Sequence, residues 1–199
     1  MQVLRPANQV LLDTTQAVGW LPVDTSRFAY TACGGYKWLL SPRGTAYFTL
    51  RPELIDDLVP HTADWYAGQS PWTSIYGGPL RLAADARRFD VSPAWHAWVA
   101  AGPAVSLLTQ VGTQALHRHA LGLANRFRAG VGLEPGNFAI VSLAVDDETA
   151  AAMAAACIAG SARAGRLRLS FHISTSEADV DHAIDILCPH ILPGHQASR

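Results

Sequence analysis

The chain has 199 residues, 49% apolar and 16% charged, with a formal net charge of -1. That is enough for one sizeable domain, or one and a half, around a real hydrophobic core, and it excludes a disordered tail. Scattered Lys and Arg exclude a phosphate-backbone footprint for nucleic acid. Short apolar runs and no charged leader argue against a membrane segment, so a cytoplasmic address is the expectation.

The first predicted element is Val10-Leu11-Leu12, ending at Asp13, which reads as a buried strand of a parallel sheet. Phe28 to Cys33 and Thr45 to Leu50 read as further strands, the latter bounded by Gly44 and Pro52. Pro52 suits the first turn of a short helix through Leu58. From Pro60 to Pro93 little periodicity appears, but aromatics, glycines and prolines abound; so long an irregular stretch is usually functional or interfacial. The aromatic run Trp65 to Tyr76 reads as core or dimer contact before it reads as a substrate pocket. Ala94 to Leu116 predicts a helix, and His119 to Ala129 another.

After Pro135-Gly136 the texture changes. Phe138 to Val145 predicts a strand, Glu148 to Ala156 a helix, and Arg166 to Phe171 a strand. Ser176 with Asp179 forms a capping box, followed by the apolar stripe Val180, Ala183, Ile184 and Leu187. Residues 1–116 and 117–199 are therefore the expected domains, a larger α/β one and a small α+β one.

Cys33, Cys157 and Cys188 are an odd number without paired spacing, so neither a disulfide framework nor a zinc knuckle is expected. Cys33 and Cys157 read as small buried hydrophobes. His117 and His119, two apart, point to different faces of a helix; they read as solvated polar positions, and no metal site is expected.

The chemistry concentrates in Asp13-Thr14-Thr15-Gln16 and in Cys33-Gly34-Gly35-Tyr36-Lys37-Trp38, with Pro42-Arg43-Gly44-Thr45 after it. Read alone, the lysine is an ordinary surface-loop residue and the aspartate a turn or cap residue. Read together, an acid ends one strand and a lysine follows the next. Open α/β sheets place ligands in the crevice beyond the carboxyl ends of their strands, so both would reach the same crevice. The glycines there are expected to let backbone approach a ligand closely.

These segments, with Arg166 to Asp181, resemble the class V aminotransferases of the fold-type I pyridoxal-phosphate superfamily, a group that includes cysteine desulfurases, kynureninase and carbon-sulfur lyases. The resemblance spans nearly the whole chain and implies a partial fold-type I architecture: the remainder of a mostly parallel large-domain sheet plus a small α+β domain. It implies pyridoxal 5'-phosphate as cofactor. Lys37 would form the internal Schiff base, its amine made nucleophilic in a dry, cationic site. Asp13 would pair with the pyridine nitrogen and keep it protonated, the better electron sink. Gln16 would donate to the ring's phenolic oxygen, and Tyr36 is a candidate phosphate ligand. Arg168 would grip the substrate carboxylate bidentately, with Arg166 on the same strand face as its rival. Ser92, after Arg87 to Val91, falls where such enzymes carry a turn that touches phosphate across a dimer.

Cysteine desulfurases typically have histidine just before the lysine and serine two residues before that. Here those positions are Tyr36 and Gly34, nearer the kynureninase pattern. No cysteine lies between Ile158 and Arg166, where desulfurases place their reactive one, so desulfurase activity is disfavoured. The family's phosphate-binding helix terminus and ring-stacking residue precede the Asp13 strand, and neither is expected in this chain. Alone it is expected to bind cofactor weakly and not to turn over. Three readings stay open. One is a portion of an enzyme of amino-acid substrates, either a fragment or one half of a split enzyme completed by a complementing amino-terminal chain. Another is a homodimer that rebuilds the missing wall. The last is a non-catalytic remnant acting as a binding or regulatory module.

Overall fold

The computed structural model describes residues 10–163 and 165–190, in two compact units, Met1–Val111 and Gly112–Arg199.

The first unit holds a three-stranded sheet of β1 (Leu11–Asp13), β2 (Tyr30–Gly34) and β3 (Ala46–Leu50), in that order. β1 runs parallel to β2, with Asp13 opposite Ala32; β2 runs antiparallel to β3, with Gly34 opposite Ala46. The expectation of a mostly parallel sheet is therefore met by one pairing of two. Residues 35–45 are too few for a crossover helix, so the chain turns straight back. β1 was also expected to be buried. Instead it is an edge among the described residues, and Leu11 is 60% exposed.

The helix expected from Pro52 to Leu58 is a single 3-10 turn, Pro52–Leu54. Three more such turns punctuate residues 60–93, two of them opened by aspartates, Asp64 and Asp85, that accept from backbone N–H groups two residues on. The Arg87 guanidinium knits this stretch together by donating to the carbonyls of Tyr66, Gly68 and Gln69 at 3.0, 2.6 and 3.1 Å. Trp72, Trp65, Tyr66 and Trp95 form a chain of ring contacts 5.3 to 6.1 Å apart, yet Trp72 is 74% exposed. α1 (Trp95–Val111) closes the unit. It was expected to reach Leu116 but stops at Gly112, whose φ of +84° suits glycine and breaks the helical path.

The second unit opens with α2 (Thr113–Gly130), longer at its start than expected for the same reason. There follow β4 (Ile140–Ala144), α3 (Asp147–Ala155), β5 (Ser161–Arg163), β6 (Arg166–Ser170) and α4 (Glu177–Leu187). The short β5 had no sequence signal; three residues are too few to show alternation. The sheet order is β4-β6-β5, all antiparallel. Val141 and Leu143 from β4 and Leu167 and Leu169 from β6 meet Phe127 of α2 and Val180, Ala183 and Leu187 of α4 in one core. Burying each of the Val, Leu and Phe side chains contributes about 1.5–3 kcal/mol. The Ser176–Asp179 capping box forms as expected, with both reciprocal bonds present.

Cys33 is buried as expected, and burial pushes its thiol up, away from nucleophilic use. Cys157 is exposed, contrary to expectation, because it lies just past the end of α3 rather than on its inner face. His119 was read as merely solvated, but its Nε2 lies 3.0 Å from the Thr175 carbonyl, and His117 is half-buried. Among the described residues no helix is long and apolar enough to cross a membrane.

Candidate functional site

Parallel pairing puts the carboxyl ends of β1 and β2 on the same edge of the sheet, so the residues that follow each strand are neighbours. Buried Thr14 fixes that end: its backbone N–H and its hydroxyl both donate to the Ala32 carbonyl, at 2.7 and 3.0 Å. Asp13, just before it, is exposed. Thr15 then works in two directions. Its backbone N–H donates to Asp13 Oδ1 at 2.9 Å, and its Oγ1 accepts from the Gly34 N–H at 2.9 Å.

The hydrogen bonds from Thr15, hydroxyl first and backbone second, hold the Asp13 carboxyl below the usual carboxylate range, and the positive charge of Lys37 pulls in the same direction.

Residues 35–45 form a tight loop that presents Lys37. Gly35 donates to the Thr45 carbonyl at 2.9 Å and accepts from the Ser41 N–H at 3.0 Å, while Thr45 Oγ1 donates to the Pro42 carbonyl at 2.8 Å. A Cβ on Gly35 would collide with Thr45 Oγ1, and one on Gly34 would press on the Tyr36 ring. These glycines serve the loop's own close packing. Lys37 is half-buried and Tyr36 exposed. The Arg43 guanidinium stands 4.5 Å from the Tyr36 ring centroid and Lys37 Nζ 5.7 Å from it, a cationic cluster around one aromatic ring.

Gln16 is held from below by two indoles. Trp20 Nε1 donates to its backbone carbonyl at 2.8 Å and Trp38 Nε1 to its side-chain Oε1 at 3.0 Å. The carboxamide NH2 remains as the end able to donate. This set fits the implied cofactor: an anion for a ring nitrogen, an amine, and a neutral donor for an oxygen. Thr15 and Trp38 were not singled out from sequence. Each lies beside a predicted site residue, but adjacency carries no information about which side chain a hydrogen bond selects.

Arg168 belongs to the other unit. Leu167 and Leu169 of β6 turn into the core, which places Arg166 and Arg168 on the opposite face. Arg166 is engaged locally, donating to Ser142 Oγ at 3.1 Å and to the Ser142 carbonyl at 2.8 Å. Arg168 is half-buried, and among the described residues no hydrogen bond or ion pair occupies its guanidinium. Ser92 is exposed and its backbone N–H is taken by Asp64 Oδ2 at 2.8 Å.

No family model matches the chain. An uncharacterised aminotransferase of Bacillus subtilis, YcbU, is 28% identical over 195 residues, covering 91% of this chain and 51% of that protein. Among solved structures, the cysteine desulfurase of Thermococcus onnurineus superimposes with a TM-score of 0.78 at 17% identity, covering 91% of this chain and 52% of that one. A variant of the cystine C-S lyase C-DES, with glycine covalently linked to its pyridoxal phosphate cofactor, gives 0.76 at 19% identity, covering 88% and 50%. In each case this chain spans about half of the other protein's length, and the match is to a carboxyl-terminal portion.

Proposed function

We propose, from the premise that this chain has the partial fold type I and the sequence likeness of a carboxyl-terminal portion of class V aminotransferases, that it supplies the cofactor-anchoring part of a pyridoxal-phosphate enzyme acting on an amino acid. The observation that carries this reading is the parallel pairing of β1 with β2, by which Asp13 ends one strand and the Lys37 loop follows the next at the same end of the sheet.

Pyridoxal phosphate, when bound, supplies an electron sink for a carbanion at the substrate's α-carbon. Asp13, held anionic by Thr15, keeps a ring nitrogen cationic. The Lys37 amine would hold the cofactor covalently and would serve as the base that takes the proton from the α-carbon and returns it. Gln16 turns its amide NH2 to the phenolic oxygen, and the Tyr36 hydroxyl is offered to the phosphate. Arg168, with its fork unengaged, binds the substrate carboxylate in a charge-assisted pair. Transamination and carbon-sulfur or β-elimination both use these parts.

The outer edge of β1 is covered, in this reading, by further polypeptide beyond the described residues. A lone anion beside a lysine is compatible with a non-catalytic binding module, and one experiment separates the two. Titration with pyridoxal 5'-phosphate is expected to raise a visible absorbance band in the wild type and none in Lys37→Ala, with the borohydride-reduced adduct mapping to Lys37. Equal spectra for the two proteins, or an adduct mapped elsewhere, overturn the assignment in favour of the module.

A further inference from the structure

We propose that Trp38 is a positioning residue for Gln16: its indole N–H fixes the carboxamide with the NH2 end outward, presented as a donor to an anionic oxygen of the ligand held at Lys37. This rests on the reading of Lys37 given above.

A glutamine side chain has two ends of nearly equal shape and opposite hydrogen-bonding sense, so either could face a ligand. An indole nitrogen can only donate. With Trp38 Nε1 at 3.0 Å from Gln16 Oε1, the oxygen is occupied and the inverted orientation would set two donors against each other. The carboxamide therefore becomes a one-sense group.

The indole that imposes this choice has little freedom. Trp38 is 4% exposed and packs on Trp20 with ring centroids 5.7 Å apart. Trp20 in turn holds the Gln16 backbone carbonyl at 2.8 Å, so one indole grips the main chain and the other the side chain of the same residue. The turn carrying Gln16 also lies close on the Trp38 backbone. Gly19 has a φ of +113°, and a Cβ there would stand 2.5 Å from the Trp38 carbonyl oxygen. Trp38 directly follows Lys37. The indole that orients Gln16 and the amine therefore sit on one loop.

A neutral donor beside an anionic oxygen draws off negative charge that would otherwise hold a neighbouring cation protonated. Loss of that donor raises the pH midpoint of the bound cofactor's visible band. The test compares wild type, Trp38→Phe, Gln16→Leu and the double variant, each loaded with pyridoxal 5'-phosphate. Loss of one hydrogen bond to a charged oxygen corresponds to an upward midpoint shift of about one to two pH units. Both single variants are expected to shift upward, and the double variant to match Gln16→Leu alone, because the indole acts only through the carboxamide. A shift in Gln16→Leu with none in Trp38→Phe overturns the inference and leaves the proposed function standing. No visible band in the wild type overturns both. A ligand-free measurement guards against misfolding of Trp38→Phe: in Gln16→Leu, hydrogen exchange at the Trp38 indole, read by NMR, is expected to quicken about tenfold for the loss of one such bond. An unchanged rate shows that the bond is not formed and refutes the inference.

Discussion

The hydroxyl of Thr15 accepts the backbone N–H of Gly34 at 2.9 Å, and this bond ties the turn after β1 to the end of β2, where the lysine loop begins. Thr15 also holds Asp13, so one side chain sets the geometry of both halves of the proposed cofactor anchor. Thr15→Val keeps the shape and the backbone bond to Asp13 but removes the hydroxyl. Leaving the Gly34 N–H without its acceptor is expected to destabilise the protein by about 1–2 kcal/mol at neutral pH.

The pH dependence has a definite sign. Asp13 is depressed in the folded protein, so its ionised form contributes stability above the ordinary carboxylate value, and this is lost as pH falls through the folded value. In Thr15→Val the folded value moves back toward the ordinary one. The stability gap between the two proteins should therefore narrow as pH falls from neutrality into the acid range. Urea unfolding across that range measures it; a gap that stays constant would show that the hydroxyl does not act through Asp13.

The two arginines of β6 make opposite predictions. Arg166 is bonded to Ser142 on the neighbouring strand, whereas Arg168 has no such partner among the described residues. Arg166→Met is expected to cost about 0.5–1.5 kcal/mol of stability and to leave amino-acid binding intact. Arg168→Met is expected to leave stability within about 0.5 kcal/mol. It should weaken binding of an α-amino acid, but not of the matching amine lacking the carboxylate, by about ten- to a hundredfold, as for one charge-assisted bond. Urea melts and spectral titrations of cofactor-loaded protein separate the pair. Reversal of the two results would move the carboxylate role to Arg166.

Much of this was legible in the sequence because local rules governed it. The capping box at Ser176 and the stripe behind it required no tertiary knowledge, and the helix formed as read. The strand-end acid and the loop lysine were recognisable because parallel strands bring their carboxyl ends together whatever surrounds them. What escaped was set by contacts distant in sequence. The direction of β3 depended on a loop closed by Gly35 and Thr45, and the end of α1 on a single positive φ at Gly112. The Trp38–Gln16 bond spans 22 positions, and no spacing rule announces it.

Cys157 shows the same limit at a helix end, and there it yields a stability prediction. α3 ends at Ala155, and the chain reverses through a residue in the left-handed region: Cys157 has a φ of +58°. Its N–H bonds the Ala154 carbonyl at 3.0 Å and the Ile158 N–H bonds the Met153 carbonyl at 2.9 Å, the paired bonds of a Schellman cap. Glycine is the usual occupant of that position, because a Cβ in left-handed backbone costs about 1–2 kcal/mol. Cysteine bears that cost while its side chain is exposed. Cys157→Gly relieves the strain but gives the unfolded chain more freedom, which offsets part of the gain. The expected net is a stabilisation of about 0.5–1 kcal/mol, seen as a higher urea midpoint with an unchanged slope. Cys157→Ala keeps the Cβ and should show no such gain. Equal midpoints for the glycine and alanine variants would mean that the left-handed conformation at this helix end costs the fold nothing.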